Sequence, residues 1–435
     1  MQYEDCVEWL ASRGRSRIEP GLGRTQALLS RLGHRGDEIP GVLVAGTNGK
    51  GSTCAMAVAG LVAAGYRVGS MPSPHLQQYT ERIRINGIPV GAEQFAEAVT
   101  AVQFAVDELD AAGINAATQF EIMACVAFSF FVRQGVDAVV LEVGMGGRDD
   151  ATNVFDPGVK VITSIGLDHQ EFLGDTLASV AWHKAGVIRA GDDVLIGDVR
   201  DEARKVITKV LDDCGGVRAQ WMRCALTAEA AADGEVLVGN AVARHRALRP
   251  PLPGAHQQAN LALAVGAVDA LCARTGRLSP SDGQWARALA ELRWPGRLEL
   301  CTGADLGAGW NGSLLLDGAH NPHALRAVIP EAERLLGRPP VVVFAAMRDK
   351  ALAEMVALIP RTWPLVVTTV EGERAAVPQA LATLCTGHAI AGVADNPAQA
   401  LGLAARAAAP DRPIVVLGSL FLVGAIRNHL NLPPA

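Results

Sequence analysis

The sequence predicts a two-domain α/β protein, each domain built on a mostly parallel sheet, and three observations predict it. Its 435 residues exceed the roughly 100–200 that a single core usually serves. Short runs of Val, Ile and Leu alternate with stretches in which small and apolar residues recur at helical spacing. Each apolar run ends in a polar or Gly-rich loop, the pattern of parallel strands covered by helices on both faces.

Taken in order, Gly41-Val-Leu-Val-Ala45 reads as a strand, a Gly-rich turn follows, and residues Ser52 to Ala64 read as a helix. The rhythm returns at Ala138-Val-Val-Leu-Glu142 and Val159-Lys-Val-Ile-Thr-Ser-Ile165. A second set of strands is expected at Ser313–Leu316, Val341–Ala345, Leu365–Thr369 and Ile414–Leu417. Trp294-Pro-Gly-Arg297 is a turn signal between the sets, which puts the boundary near residue 296 and the domains at 1–296 and 297–435. Ligands of such sheets bind beyond the carboxyl ends of the strands, so chemistry is expected just after each apolar run.

Composition narrows the function. Nearly half the residues are apolar (49%), 19% are charged, and the formal charge of -6 offers no general attraction to nucleic acid or anionic membrane. A small-molecule substrate is expected. Met1-Gln-Tyr-Glu-Asp-Cys6 has no apolar signal core and no apolar run is long enough to span a bilayer, so a cytoplasmic protein is expected. The eight cysteines are scattered without a C-x-x-C pair, as befits reduced thiols rather than a zinc site.

Ala45-Gly-Thr-Asn-Gly-Lys-Gly-Ser-Thr53 has the parts of a phosphate cradle. Glycines let backbone N–H groups converge on oxyanions, Lys50 brings charge, Ser52 offers a hydroxyl to Mg²⁺, and the helix that follows adds its positive end. The spacing departs from G-x-x-x-x-G-K-[ST], with Val44 in place of the first glycine and Gly51 between Lys50 and Ser52. A bare glycine-rich turn is the plainer alternative.

That loop resembles the nucleotide loop of the Mur ligase superfamily, and its wording is closest to the folylpolyglutamate synthase/dihydrofolate synthase family. The agreement continues in order through Ser73-Pro-His-Leu76, Thr80-Glu-Arg-Ile-Arg-Ile-Asn86, Thr118-Gln-Phe-Glu121, Leu141-Glu-Val-Gly-Met-Gly-Gly-Arg148, Asp150-Ala-Thr-Asn153 and Ser164-Ile-Gly-Leu-Asp-His169. Later come Lys184-Ala-Gly186, His256-Gln-Gln-Ala-Asn260, Pro295-Gly-Arg297, Asp317-Gly-Ala-His-Asn-Pro322 and Gly418-Ser-Leu420. The resemblance implies a Mur-ligase-like P-loop ATPase domain with a mostly parallel sheet, plus a smaller Rossmann-like C-terminal α/β domain that brings glutamate.

It also implies a reaction: ATP activates a carboxylate as an acyl phosphate, which the glutamate amine then attacks. Gly46, Thr47, Asn48, Gly49, Lys50, Gly51, Ser52 and Thr53 would cradle the phosphates, and Asn260, Arg297 and Asp317 would contact the nucleotide. Ser52, Ser73, Glu142 and His169 fall on two Mg²⁺ sites. Lys184 matches a lysine that family members carry as a carbamate. Only a neutral amine takes up carbon dioxide, so the site must lower its pKa by desolvation or neighbouring positive charge. His320 falls near the phosphates or incoming glutamate, and with Lys50, Lys184 and His169 completes the expected catalytic set.

For the acceptor, a pteroate or folate, the resemblance implies Phe120 for the flat heterocycle, Asp150 for its N–H groups, Arg82 for a carboxylate or phosphate, and Thr118 and Ser419 as further substrate contacts. Phe120 reads equally as core, because Phe128, Phe130 and Phe131 follow it. The chain departs from the family at His183, where an acid usually precedes the lysine, and at Gly23, where better-known relatives carry an acid. These departures keep open a same-chemistry ligase for a non-folate acid, and an ATP-binding regulatory protein stands as the reading from another class. Partners are expected to be small molecules, and the protein a monomer.

Overall fold

Val42, Leu43 and Val44 are fully buried, as Val and Leu must be when helices cover both faces of their strand. This computed structural model describes residues 1–14, 19–113, 117–231, 234–239, 246–303, 306 and 309–434. The chain divides into two units, one of Met1–His75, Tyr79–Pro251 and His256–Leu292, the other of Leu76–Gln78, Leu252–Ala255 and Arg293–Ala435.

In the first unit the strands are β1 (Gly41–Ala45), β2 (Val68–Met71), β3 (Arg84–Ile85), β4 (Ile88–Pro89), β5 (Ala138–Glu142), β6 (Gly158–Ile162), β7 (Asp193–Ile196) and β8 (Arg218–Trp221). They form one sheet in the order β4-β3-β2-β5-β1-β6-β7-β8. From β2 to β8 neighbours run parallel, and only the β2–β3–β4 edge is antiparallel. The central strand β1 lies between β5 and β6, so the loop after it opens onto the carboxyl ends of both. A smaller antiparallel sheet, β9 (Thr227–Ala230), β10 (Val236–Gly239) and β11 (Arg246–Leu248), was not expected from the α/β alternation.

Several expected boundaries move by one to three residues, and two of the shifts have a local reason at the loop after β1. The helix after β1 begins at Lys50 rather than Ser52, because Gly49 at φ +88° ends the turn two residues earlier and takes Lys50 and Gly51 into the helix. Strand β6 stops at Ile162, beyond which the Thr163 and Ser164 hydroxyls bond to Asn48 in the loop after β1.

The second unit holds β12 (Glu299–Cys301), β13 (Leu314–Leu316), β14 (Val341–Phe344), β15 (Leu365–Val367), β16 (Ile390–Val393) and β17 (Ile414–Leu417) in the order β12-β13-β17-β14-β15-β16. All but β12 are parallel. Trp363 and Phe344 lie in the core on one face, Trp310 in the core on the other. Gln77, far upstream in sequence, is claimed by this unit: it donates to Asn428 Oδ1 (2.9 Å) and Leu432 O (3.1 Å) and accepts from Arg427 Nε (2.9 Å).

Candidate active site

The loop after β1 is held in shape from below. Gly46 (φ +145°) and Gly49 (φ +88°) adopt backbone that side chains avoid, and a Cβ on either would strike Thr163 Oγ1 or Asn260 Oδ1 respectively. The segment after β6 fastens the loop: Thr47 N donates to Ser164 O (2.9 Å), Asn48 N to Ser164 Oγ (3.0 Å), and Thr163 Oγ1 to Asn48 O (2.7 Å). Thr47 Oγ1 both donates to Gly166 O and accepts from Gly166 N, each at 3.0 Å. A loop so constrained is preorganised, and the helix Lys50–Ala63 places its positive end there. Lys50 Nζ reaches Thr47 O at 3.3 Å, and the buried Thr53 Oγ1 in the same first turn has no hydrogen-bond partner among the described residues.

Ser52 is 2% exposed and accepts a hydrogen bond from Gln257 Nε2 at 3.4 Å. Gln257 in turn accepts from Asn260 Nδ2 at 2.9 Å, three residues along the helix His256–Thr275. Gln257 and Thr163 are site residues that sequence reasoning passed over. The signal for Gln257 was its place in the His256–Asn260 motif one turn before Asn260.

Lys184 is the second anchor of the site. It lies in the last turn of the helix Leu177–Ala185, is 4% exposed, and donates Nζ to Gly46 O at 2.8 Å. Burial and then the positive charge of Lys50 lower its pKa to about 7, against an opposing pull from Asp168 and Asp150. These are the two physical means the sequence reading required for a neutral amine. Asp168, another residue it left without a role, is 9% exposed and accepts from the N–H of His169, which sits at φ +50° at the head of the helix Gln170–Leu173.

Glu142, buried at the end of β5, accepts from Ser73 N at 3.0 Å, which brings two of the four expected Mg²⁺ ligands together. Both Glu142 and Lys50 act on the Cys54 thiol, whose pKa burial pushes well up. Among the described residues no three His, Cys, Asp or Glu side chains converge. Two serine hydroxyls, one carboxylate and one imidazole make up the set, mostly oxygens, which suits Mg²⁺, an ion that keeps waters and shares substrate phosphates rather than occupying an all-protein cage.

The expected acceptor residues meet only in part. Phe120 is half-buried, and a Cβ on Gly144 would strike its ring and crowd Asp150 Oδ2, so Phe120, Gly144 and Asp150 are neighbours. Phe128, by contrast, is fully buried and stacks on Phe155 at 4.3 Å, and Phe130 and Phe131 are core. Asp150 accepts from Met145 N (2.8 Å), Thr152 N (3.0 Å) and Thr152 Oγ1 (2.6 Å), while burial raises its pKa. Thr118 caps the helix Gln119–Arg133 in a reciprocal pair with Glu121, and Ser419 caps Leu420–His429; the structure gives both hydroxyls structural work. Arg82 donates Nε to His75 Nδ1 at 2.8 Å.

The second unit gathers its own set. Asp317 follows β13, accepts from Leu298 N (2.8 Å) and Ala319 N (2.7 Å), and is pushed up in pKa by burial even with Arg297 beside it. Gly318 has no room for a side chain between Leu420 and the Arg297 guanidinium. His320 Nδ1 lies 2.8 Å from Gly318 O, and Gly418 N donates to Ala319 O at 2.9 Å, so the turns after β13 and β17 adjoin.

Residues 44–268 match the Mur ligase middle domain, and residues 296–420 the Mur ligase glutamate ligase domain. The dihydrofolate synthase/folylpolyglutamate synthase of Bacillus subtilis is 35% identical over 359 residues, 81% of this chain and 82% of that protein. This chain belongs to the folylpolyglutamate synthase/dihydrofolate synthase family. The folylpolyglutamate synthase of Lacticaseibacillus casei is 32% identical across 99% of both chains. Among solved structures, that of the Mycobacterium tuberculosis folylpolyglutamate synthase with ADP and AMPPCP superposes at a TM-score of 0.87, with 28% identity and complete coverage of both chains. As in this family, the fold is α/β with mostly parallel sheets in two units. No helix among the described residues is long and apolar enough to cross a membrane, and the eight cysteines are unpaired.

Proposed function

We propose that this protein is an ATP-dependent ligase that joins L-glutamate to dihydropteroate, to tetrahydrofolate (poly)glutamates, or to both, in a cytoplasmic setting that suits its free thiols. The observation that carries the reading is Lys184, a buried amine 2.8 Å from the phosphate-loop carbonyl of Gly46 and lowered to about 7. Burying a lysine there costs stability, whereas acyl-phosphate chemistry beside ATP uses both its amine and its position.

An acid and an amine do not condense unaided in water, so the hydroxyl must become a leaving group. A carboxylate oxygen of the acceptor attacks the γ-phosphorus of ATP, and ADP departs. The neutral amine of glutamate then attacks the acyl phosphate carbon, expelling phosphate and leaving the amide. Phosphoryl transfer relies on positioning and charge neutralisation. The loop N–H groups, Lys50 and the helix end supply these at the phosphates. Ser52, Ser73, Glu142 and His169 are the residues that would hold Mg²⁺, whose charge neutralises phosphate oxygens when it is bound. Neutral Lys184 takes up carbon dioxide and releases a proton, so that a neutral amine becomes an anionic carbamate in the same site. Phe120 and Asp150 meet the pterin, Arg82 an acidic group of the acceptor. Asn260, Arg297 and Asp317 serve the nucleotide, His320 and Ser419 the incoming glutamate.

The test is ADP release with Mg²⁺, ATP and glutamate, comparing dihydropteroate, tetrahydrofolate and no acid, with product mass checked for added glutamate. Turnover with dihydropteroate or tetrahydrofolate is expected. Silence with both from a protein that binds ATP would transfer the assignment to a different acid. The carbamate is tested separately by ¹³C-bicarbonate NMR, where the labelled carbamate resonance of the wild type must vanish in Lys184→Ala.

A further inference from the structure

The turn Tyr79–Arg82 and the head of the helix Gln119–Arg133 are far apart in sequence, yet one run of side chains joins them. Arg82 Nε donates to His75 Nδ1 at 2.8 Å. The His75 ring lies 4.4 Å, centroid to centroid, from that of Tyr79, whose hydroxyl accepts from Gln119 Nε2 at 2.7 Å. Tyr79 is 3% exposed and Gln119 7%, and Gln119 directly precedes Phe120. Since Nδ1 of His75 accepts, the imidazole is neutral and carries its proton on Nε2. Holding the guanidinium by Nε fixes its plane, and with it the direction in which Nη1 and Nη2 point. A planar fork recognises a carboxylate or phosphate only when so aimed.

We propose that His75 is a positioning residue: it aims Arg82 at the acidic group of the acceptor, while Tyr79 and Gln119 hold the imidazole in register with Phe120. The proposal rests on Arg82 being an acceptor contact. It assigns His75 no contact with reacting atoms. Losing it should therefore weaken acceptor binding without slowing the bound complex.

The experiment compares His75→Ala, His75→Asn and Arg82→Ala with wild type, using whichever of dihydropteroate and tetrahydrofolate the wild type turns over. His75→Ala should raise KM for the acceptor about tenfold while kcat and KM for ATP stay within about twofold. In His75→Asn the amide oxygen takes the place of Nδ1 and should restore most of that loss. Equilibrium titration of the acceptor by intrinsic fluorescence, with thermal melts alongside, separates weaker binding from a poorly folded variant. A raised KM in Arg82→Ala with none in His75→Ala overturns the positioning role and leaves Arg82 an acceptor contact. An unchanged KM in Arg82→Ala removes that contact and the proposal with it. Equal losses in His75→Ala and His75→Asn overturn it too, because ring packing on Tyr79 and not the accepting atom would then be what matters.

Discussion

Lys160 and Lys184 are both buried in the N-terminal unit, at 0% and 4% exposure, and their surroundings differ in kind. Lys160, in β6, lies 3.0 Å from Asp156 and 3.9 Å from Asp192, and Arg189 holds Asp156 from its other side. Burial lowers its pKa, but both carboxylates pull it back. Lys184 has a carbonyl for a hydrogen-bond partner, a second lysine as its strongest charged influence, and no carboxylate within ion-pair distance among the described residues. One unit thus buries a cation at the amino ends of its strands by neutralising it, and another at the carboxyl ends by making it easy to deprotonate. Equal burial does not mean equal purpose: the partners decide whether a buried lysine serves the fold or the chemistry.

Replacing the two lysines separates these purposes. Lys184→Met should cut turnover ~10³-fold, the scale seen when one preorganised electrostatic group is lost. Lys160→Met should leave turnover per folded molecule unchanged and instead destabilise the protein by about 3 kcal/mol, since it leaves the buried Asp192 without its lysine and Asp156 held only from the Arg189 side. Steady-state ADP release and urea midpoints on the same preparations check both. The contrast collapses if Lys184→Met retains wild-type turnover, or if Lys160→Met loses activity without losing stability.

The same distinction marks how far the sequence could be read. β1, β5 and β17 were legible to the residue because Val, Leu and Ile runs between turn signals admit few other conformations. The loop after β1 was legible as a tight turn from its glycines, two of which, Gly46 and Gly49, sit at positive φ. Lys160 was not legible, because Val-Lys-Val reads as an ordinary alternation and the neutralising aspartates come from the turns before β6 and β7. Thr118 fits two patterns at once. Its motif resembles a substrate contact, yet a threonine three residues before Glu121 also satisfies the rule for a helix cap, and the structure uses it so. The capture of Gln77 by the C-terminal unit depends on Arg427 and Asn428, more than three hundred residues away, and no local pattern announces it.

The smallest expected effect is also the sharpest, because its sign is opposite for the two lysines. Lys184 titrates at about 7 in the folded protein against an ordinary 10.5, so between those values the unfolded chain binds the proton that the native one has released, and stability rises with pH. Below that window both states carry the charge, and the native state bears the whole cost of burying it. Removing the amine should therefore stabilise: Lys184→Met in carbon dioxide-free buffer should unfold at higher urea than wild type at mildly acidic pH, by ~1–2 kcal/mol. The gap should narrow as pH climbs through the window, since the wild type sheds the same cost by deprotonation. Lys160→Met should lie below wild type throughout. A Lys184→Met protein less stable than wild type at acidic pH would mean that the hydrogen bond to Gly46 outweighs the buried charge, and that Lys184 holds the phosphate loop together as a structural strut.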